Sequence, residues 1–413
     1  MIFHDTVSQL SALASSGDGQ DPAVARKTGA LPPERWPSFE PGGPRRRLFF
    51  PPGSTKVAIV TCGGLCPGLN DVIRGLVMEL AKHYGVQGAV GYRHGFAGMV
   101  RSSELQPLRL TPQLVHDINQ RGGTILGSSR GGQDPDDMID RLVDDRIDIL
   151  FVIGGDGSMR GAAGLARRLA ERSLPIGVIG VPKTIDNDIP FIGQSFGFVT
   201  SFGVAAQTIN AAMVEAHAAV GGVGLVKLMG RHAGFIACYE ALANHEADFV
   251  LIPEVPFRLD GPSGFLSAVH RRLRDTGHAV VVVAGGAGQD VLSDTGATDP
   301  SGNRALGDIG LHLRAAITAH FGAQRSPLTL KYLDPGYGIR SVRADPHDSV
   351  YCVRLAQAAV HAGMAGRTDM VVGRRHNRFV HVPISLVVSS TNQVAPDVTS
   401  GSACSSRPPS PPA

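Results

Sequence analysis

Residues 149–158 read ILFVIGGDGS, a run of five apolar residues that leads directly into a glycine-rich turn. The run lacks the polar alternation of a half-exposed strand, so it predicts a β-strand that is buried on both faces. The glycines have no Cβ and let a ligand approach the backbone closely. A buried strand that enters such a turn and then a helix is typical of phosphate-binding α/β proteins.

Further apolar runs on both sides of this stretch alternate with longer amphipathic segments. The runs are VAIV (57–60), IGVIGV (176–181), VGLVKL (223–228), FVLIPE (249–254) and AVVVVAGG (279–286). Helices are predicted over residues 68–83, 135–146, 158–172, 196–218, 232–244, 265–276 and 349–365. Because strands and helices alternate, we expect an α/β fold of two doubly wound, three-layer (αβα) domains.

We also expect the chain to divide into two domains and two terminal segments. A first domain covers 51–195 and is joined by about 341–390, and a second covers 196–340. Residues 1–50 are interpreted as an N-terminal extension. The Ser- and Pro-rich tail, 391–413, cannot bury enough apolar area to offset the entropy of ordering it, so we expect it to be disordered.

Bulk properties exclude several kinds of partner. The net charge of the 413 residues is +3, and the basic run at 45–47 is too short for a nucleic-acid-binding face, so we expect no nucleic acid. No stretch approaches the ~18 apolar residues of a membrane span, and the N-terminus lacks the pattern of a secretory signal. Five cysteines without paired spacing suit a reducing compartment, so a cytoplasmic protein is expected.

Two glycine turns are candidates for binding phosphate. The turn TCGGLCPGLN (61–70) follows the first strand, but a plain strand-to-helix turn would explain it equally well. The turn GGDGS (154–158) is stronger, because Asp156 adds a carboxylate that can hold Mg²⁺ beside the phosphates. The alternative is that Asp156 or Ser158 only caps the helix. NAD kinases and lipid kinases also use a GGDG turn, so it does not by itself name a substrate.

A third turn, PKTIDND (182–188), places two carboxylates and a lysine at a strand end. Phosphoryl transfer needs a carboxylate near the attacking hydroxyl, positive charge on the moving group and a positioned metal. Lys183, Asp186 and Asp188 could supply these, whereas the alternative is an Asx-rich turn without chemistry. Since ligands of open α/β sheets bind beyond the carboxyl ends of strands, the three turns should meet at one cleft.

GGDGS followed by PKTIDND resembles the phosphofructokinase family, in its atypical ATP-dependent branch. The resemblance covers roughly residues 45–375 and continues in CGGLCPGLN (62–70), GYRHGFAG (91–98), ILGSSRGG (125–132), LVKLMGRHAGFIA (225–237), LIPE (251–254) and KYLDPGYGIR (331–340). An ordered set of this kind is far more specific than any one motif. It implies transfer of a phosphoryl group from ATP, with Mg²⁺, to the 1-hydroxyl of fructose 6-phosphate in glycolysis.

The resemblance also implies an active site in the cleft between the domains, with nucleotide on the first and sugar phosphate on the second. A homodimer or homotetramer with allosteric control is expected. Asp186 is similar to the base that takes the proton of the sugar hydroxyl, and Lys183 would counter charge during transfer. The sugar-phosphate site would further include Thr184, Ile185, Met229, Gly230, Arg231, Glu254, Tyr337 and Arg340. The nucleotide site would include Gly64, Arg130, Gly131, Gly155, Asp156 as metal ligand, Gly157 and Ser158.

The chain departs from the family pattern at two places. The segment GGVG (221–224) lacks an arginine found before MGR in the short bacterial enzymes, and Gly285 stands where a glutamate is expected. Two alternatives to an ATP-dependent kinase stay open. One is a pyrophosphate-dependent enzyme. The resembling enzymes of that type carry Asp at the position of Gly157, which favours ATP here, but they also carry the lysine of Lys183, which points towards pyrophosphate. Lys183 has less weight, because a lysine is compatible with either donor. The other is a non-catalytic regulatory homologue, which the presence of both the TIDND acids and MGR disfavours.

Overall fold

The structure is a computed structural model that describes residues 39–292, 296, 298 and 305–395. Most of the predicted N-terminal extension and of the predicted tail lies outside the described residues. The strands of the described residues are β1 (Glu40–Pro41), β2 (Lys56–Thr61), β3 (Gly88–Tyr92), β4 (Leu108–Arg109), β5 (Ile149–Gly154), β6 (Gly177–Pro182), β7 (Gly222–Leu228), β8 (Phe249–Leu251), β9 (His278–Ala284), β10 (Thr329–Leu333), β11 (Met370–Arg375) and β12 (Arg378–Pro383).

The α-helices of the same residues are α1 (Leu69–His83), α2 (Pro135–Asp144), α3 (Asp156–Glu171), α4 (Phe198–His217), α5 (Phe235–Asn244), α6 (Phe265–Thr276), α7 (Ile309–Ala323), α8 (Gly336–Ser341), α9 (Pro346–Met364) and α10 (Ile384–Val387). Short 3₁₀ turns cover Gly95–Met99 and Ile118–Gln120. Each apolar run that predicted a strand forms one, and each predicted helix overlaps an observed helix. No helix in the described part of the chain is both long and apolar enough to cross a membrane.

The strands form two sheets. The larger has the order β1-β12-β11-β6-β5-β2-β3-β4, and the smaller has the order β10-β7-β9-β8. All neighbours in the smaller sheet are parallel. In the larger sheet β3, β2, β5, β6 and β11 run parallel to one another. At the edges, β4 pairs antiparallel with β3, β12 with β11, and β1 with β12. The sequence predicted only parallel pairing for these domains.

The unpredicted hairpin between β11 and β12 depends on a two-residue turn at His376 and Asn377. Both residues have positive φ, 45° and 62°. A two-residue turn with positive φ at both positions matches the right-handed twist of the strands it joins, and Asn tolerates this conformation better than most residues. The turn therefore forms without the glycine that usually marks it in a sequence.

Helices cover both faces of each sheet. Residues that alternate along a strand enter different cores: Val57 and Ile59 pack towards α1 and α9, whereas Ala58 and Val60 pack towards α2 and α3. In the smaller sheet, α4 and α5 cover one face and α6 and α7 the other. The predicted α/β class is confirmed, with one mixed and one parallel sheet. The nucleotide and sugar-phosphate roles assigned to the two domains stay a prediction.

One hydrophobic cluster continues from one sheet to the other. It contains Ile59 and Ile153 of the larger sheet and Val226 and Val282 of the smaller one. Helix α4 lies between them, since it contacts three strands of the smaller sheet as well as α9, which packs on the larger. Buried apolar packing therefore fixes how the carboxyl ends of the two sheets face each other.

An edge of the larger sheet is held by Glu40, which lies on β1. Arg367 donates two hydrogen bonds to its carboxylate, at 2.7 and 3.0 Å, and Nδ1 of His381 lies 3.0 Å from Oε2. Arg45 donates a further bond at 3.2 Å. Hydrogen bonding from Arg367, followed by that from His381 and Arg45, lowers the pKa of Glu40 to about 2 although partial burial opposes the shift.

Glu40→Gln should lower the melting temperature at pH 7 by a few degrees at most. An exposed ion-pair network contributes roughly 1 kcal/mol or less. Because the pKa of Glu40 is depressed in the folded state, its contribution is complete above the unfolded pKa of about 4.3 and is lost as the pH falls towards 2. Melting curves of both proteins between pH 2.5 and 8 should therefore converge at the acid end.

Glu104→Gln is the control, since Glu104 is exposed and has no ion pair among the residues that the structure describes. An equal effect of both substitutions, or a Glu40→Gln difference that does not change with pH, would contradict this account of the sheet edge.

Candidate active site

The three turns singled out in the sequence lie side by side. They follow β2, β5 and β6, which are neighbours in the larger sheet and point the same way. The amide of Cys62 donates to the carbonyl of Ile153 at 2.9 Å, and the amide of Lys183 donates to that of Gly154 at 2.9 Å. Parallel pairing thus places all three turns at one edge of the sheet. The sequence predicted that they would meet at one cleft, but of their residues only Asp186 lines the cleft described below.

The first turn presents open backbone to two guanidinium groups. Gly63 has φ 83°, donates to the carbonyl of Ser129 and accepts from the hydroxyl of Ser128. A Cβ at Gly64 would lie 3.5 Å from Nη1 of Arg340 and 3.6 Å from Nη2 of Arg130. Two cations therefore face the glycine pair, which is the arrangement that a phosphate needs.

The second turn begins a helix without a side-chain cap. Helix α3 starts at Asp156, and its N-cap, Gly155, makes no side-chain hydrogen bond. Asp156 instead pairs with Arg160 and is half exposed. The alternative interpretation of this turn as a capping motif is therefore wrong. The first amides of α3 and the positive end of its dipole lie at the carboxyl end of β5, where they favour an anion.

The third turn concentrates buried charge. The side chain of Lys183 is buried, and its Nζ donates to the carbonyl of Gly64 at 2.7 Å. Burial lowers the pKa of Lys183, although the nearby carboxylates of Asp186 and Asp188 oppose this. The lysine therefore holds the first turn from behind and does not line the cleft described below.

The environment of Asp186 suits a general base. Burial, followed by the charge of Asp188, raises the pKa of Asp186 to about 7. Its Oδ2 accepts from the amide of Arg231 at 3.3 Å, whereas its buried Oδ1 has no hydrogen-bond partner within the described chain. Thr184 lies behind it and accepts from the amide of Asp186 at 3.0 Å. An oxygen without a partner in a buried setting is a site for a substrate hydroxyl or a cation.

A cleft of about 380 Å³ opens beside this oxygen. Asp186 and Arg130 line it from the larger sheet, and residues of the smaller sheet complete it. Six of the nine residues predicted to bind substrate line the cleft: Asp186, Met229, Gly230, Arg231, Tyr337 and Arg340. The guanidinium of Arg340 stacks 4.7 Å from the ring centroid of Tyr337, and its Nε is buried with no hydrogen-bond partner in the described region.

Three predicted substrate residues do not line the cleft. Thr184 and Ile185 lie behind Asp186, and Ile185 is buried. The carboxylate of Glu254 accepts from the amide of Gly234 at 2.9 and 3.1 Å and from that of Val394 at 2.9 Å. In place of free oxygens for sugar hydroxyls, Glu254 thus presents a carboxylate that is engaged with backbone amides.

Lys227 is a cleft residue that the sequence analysis missed. It lines the cleft and forms ion pairs with Asp308 at 3.0 Å and Asp334 at 2.8 Å. Partial burial would lower the pKa of Lys227, but the hydrogen bonds that it donates to Asp334 and Asp308 outweigh this effect and raise the pKa. The available signal was a charged residue inside an apolar strand. Lys227 ties the turn that carries Tyr337 to the start of α7.

Packing explains one of the two departures from the family pattern, the glycines of GGVG, but not Gly285. A Cβ at Gly222 would lie 1.9 Å from the carbonyl of Ala216, and one at Gly224 would lie 2.7 Å from that of Ala212. The glycines therefore let α4 approach β7 closely, and the two positions have no room for a side chain. Gly285 lines the cleft, and a Cβ there would meet only the carbonyl of Leu228, at 3.6 Å.

Comparison with known proteins matches this geometry to a family. The family model described as Phosphofructokinase matches residues 56–363, well over half of the chain. The chain belongs to the phosphofructokinase family. The resemblance to this family is thereby confirmed, whereas its atypical ATP-dependent branch stays a prediction. The matched region contains all three turns and every cleft residue named above.

Curated relatives in this family are similar over most of their length. An ATP-dependent 6-phosphofructokinase of Amycolatopsis methanolica is 56% identical over 375 residues, which cover 89% of this chain and 82% of the relative. One of Borreliella burgdorferi is 46% identical, with 87% and 82% covered. Among solved structures, a pyrophosphate-dependent phosphofructokinase of Marinobacter aquaeolei aligns with a TM-score of 0.69 at 22% identity, covering 83% of this chain and 86% of that one. This last likeness shows the fold alone.

Two glycines of the second turn should respond in opposite ways to alanine. A Cβ at Gly154 would lie 2.3 Å from Cβ of Ser158, whereas one at Gly157 would meet no atom within 4 Å. Gly154→Ala should destabilise the fold by about 1–3 kcal/mol through overpacking. Gly157→Ala, in the first turn of a helix, should be neutral or stabilise it by up to about 1 kcal/mol.

Chemical denaturation of both variants measures the difference. If Gly157→Ala proves the more destabilising, the space beside Gly157 is not open as the structure has it.

Proposed function

We propose that this protein is an ATP-dependent 6-phosphofructokinase, which transfers the γ-phosphoryl group of ATP to the 1-hydroxyl of D-fructose 6-phosphate. The observation that carries the proposal is the position of Asp186. Asp186 lines the cleft together with Arg231 and Arg340, and its buried Oδ1 has no hydrogen-bond partner among the described residues. The curated relatives carry this activity in their names.

The end of the cleft at Arg340 suits the 6-phosphate of the sugar. Arg340 and Arg231 line the cleft, while Lys227 is neutralised by its two carboxylate partners. Arg130, which faces Gly64, keeps its predicted place in the nucleotide site. A guanidinium fork binds a phosphate dianion in two-point contacts that an ammonium cannot make. The ring of Tyr337 holds the guanidinium of Arg340 in place. We propose that this end fixes the phosphorylated end of the sugar and so directs the 1-hydroxyl towards Asp186.

Asp186 then acts as the general base. Its raised pKa is near the pH at which proton transfer is most effective, since a base should be deprotonated and still basic at the operating pH. The amide of Arg231 fixes one carboxylate oxygen, which leaves Oδ1 to accept the hydroxyl proton as the sugar oxygen attacks the γ-phosphorus. The bond from the γ-phosphorus to the bridging oxygen breaks, and ADP leaves with that oxygen. Arg231 lies beside the position where negative charge moves during transfer.

The glycine turns would hold the phosphates of the nucleotide. Gly63 and Gly64 allow close approach of the backbone, and the first amides of α3 can donate to phosphate oxygens. Lys183 contributes by fixing the Gly64 carbonyl, and we propose a positioning role for it in place of direct contact with the moving phosphoryl group.

Mg²⁺ fits this site only together with the nucleotide. Among the described residues, no group of three or more His, Cys, Asp or Glu side chains could hold a metal ion. Mg²⁺ commonly uses one or two carboxylates and completes its shell with water and phosphate oxygens. Asp156, whose charge reaches Asp188, is the proposed carboxylate ligand. When bound, the ion neutralises charge on the phosphates.

The choice of donor is proposed to depend on Gly157. The alternative donor is pyrophosphate, and the likeness to a pyrophosphate-dependent structure does not decide between them because it shows the fold alone. A side chain at residue 157 would enter open space at the start of α3. An Asp there would place bulk and negative charge where the α-phosphate of ATP must pass. Pyrophosphate has no α-phosphate and would not meet this obstacle.

Wild-type protein should therefore use ATP with a higher kcat/KM than pyrophosphate, and Gly157→Asp should lower the value for ATP by tenfold or more. Gly157→Asn has the same bulk without the charge, so it should lower kcat/KM for ATP less than Gly157→Asp does. Gly164→Asp adds the same charge two turns along α3, where a Cβ also meets open space, and should have little effect. Initial rates with fructose 6-phosphate and each donor measure this. Wild-type preference for pyrophosphate would refute the proposed donor.

Asp186→Asn should lower kcat by about 10²–10⁴-fold while fructose 6-phosphate still binds. The amide keeps the shape of the carboxylate but cannot accept the proton. Steady-state kinetics and calorimetric titration with fructose 6-phosphate separate the two effects. Asp275→Asn, at an exposed carboxylate on α6, is the control. A variant that keeps activity within a few-fold of wild type would remove Asp186 from the role of base.

Association and location complete the proposal. We expect a homodimer or a homotetramer in the cytoplasm, as the family resemblance implies.

A further inference from the structure

A short C-terminal segment, residues 392–394, lies across the active-site turns. On one side it contacts the turn that carries the proposed base. The amide of Asn392 donates to the carbonyl of Asp188 at 2.7 Å, and its side-chain amide donates to the carbonyl of Asn187 at 3.3 Å. The segment thus attaches to the chain directly after Asp186. We call residues 392–394 the C-terminal strap.

On its other side the strap contacts the loop of residues 229–234, which follows β7 and carries Arg231; we call it the substrate loop. Nε2 of Gln393 donates to the carbonyl of His232 at 2.8 Å, directly after Arg231. The amide of Val394 donates to Oε1 of Glu254 at 2.9 Å, and the same carboxylate accepts from the amide of Gly234. Three consecutive residues therefore bind both edges of the cleft through different groups.

The strap is anchored in the core and does not belong to the predicted disordered tail. The side chain of Val394 is 6% exposed and lies in the hydrophobic cluster that joins the two sheets. The sequence placed the start of the tail at residue 391, but residues 391–395 are described and three of them are hydrogen-bonded. A single buried valine in a polar stretch gives too little periodicity to predict this docking.

We propose that the C-terminal strap is a positioning element for catalysis, which sets the distance between Asp186 and the Arg231 loop. This inference rests on the proposed function. Within the described part of the chain, a long hydrogen bond from the amide of Arg231 to Oδ2 of Asp186, at 3.3 Å, links the two directly. The strap adds connections on both sides of that link. A displacement of about 1 Å at a reacting centre can reduce a rate by about 10²-fold, so a small shift of either loop would lower the rate.

Glu254 has a defined part in this arrangement. Its carboxylate holds the amides of Gly234 and Val394 together, so it connects the substrate loop to the strap. The amide of Val394 is the donor that reaches it, and a proline at that position has no N–H to donate. Replacing Val394 by proline therefore removes the strap's bond to Glu254 and leaves the glutamate itself in place.

The test compares Val394→Pro with Val394→Ala and Thr391→Pro. The alanine variant keeps the amide and loses only packing, and Thr391 is exposed and makes no hydrogen bond among the described residues. Val394→Pro should lower kcat/KM for fructose 6-phosphate by tenfold or more, with the KM for ATP changed less than twofold. Val394→Ala and Thr391→Pro should each lower kcat/KM for fructose 6-phosphate by less than threefold. Equal losses in both Val394 variants would overturn the proposed role of the amide.

Truncation tests the strap as a unit. A chain that ends at residue 395 should match the full chain, whereas one that ends at 391 should lose tenfold or more in kcat/KM. Hydrogen–deuterium exchange of the same pair should show faster exchange in peptides over both 183–190 and 230–236 only when the strap is absent. Faster exchange in just one of these peptides, or in neither, would show that the strap does not connect the two edges.

The two readouts separate this inference from the proposed function. If wild-type protein does not phosphorylate fructose 6-phosphate, the proposed function fails and the catalytic role of the strap fails with it, while exchange still reports whether the loops are coupled. If the wild type is active and the chain that ends at 391 keeps its full kcat/KM with a normal exchange pattern, the function stands and the strap is overturned.

Discussion

The active site depends on one buried interaction, the hydrogen bond from the ammonium of Lys183 to the carbonyl of Gly64. It joins the turn after β6 to the turn after β2, across the strand that carries the second turn. Its charge is taken out of water, which is costly unless opposite charge lies near. Asp186 and Asp188 supply that charge. The lysine therefore needs the two carboxylates beside it, and its own charge partly offsets the rise in the pKa of Asp186 that burial and Asp188 cause.

Those parts of the fold and site that have local signals could be predicted from the sequence. Strands buried on both faces appear as unbroken apolar runs, and β2, β5, β6, β7, β8 and β9 were found in this way. Glycine turns at their carboxyl ends mark the ligand edge in any parallel sheet. The cleft brings together Asp186, Arg231 and Arg340 from segments far apart in the chain, and here the ordered motifs of the family were needed in addition to periodicity.

The rest could not be predicted because it depends on contacts that are distant in the sequence. Strand β3, GAVGY, is too short and too rich in glycine to show a pattern, and the β11–β12 hairpin turns without glycine. Glu254 was assigned to the sugar, but its surroundings are set by the amide of Val394, 140 residues away. The role of Lys227 follows from its ion pairs with two carboxylates on other elements, which the sequence does not reveal. In each case the side chain is visible in the sequence and its partner is not.

The shared hydrophobic cluster has a consequence for how ligands enter. Rotating one sheet away from the other would expose residues such as Ile153, Val226 and Ile209 of α4, which are all buried in that cluster. Each 100 Å² of apolar surface so exposed costs about 2.5 kcal/mol. A hinged, jaw-like opening would thus require breaking the centre of the molecule. We instead expect ligands to enter and leave the cleft through small rearrangements of the loops at its rim. The two sheets would stay packed against each other throughout the catalytic cycle.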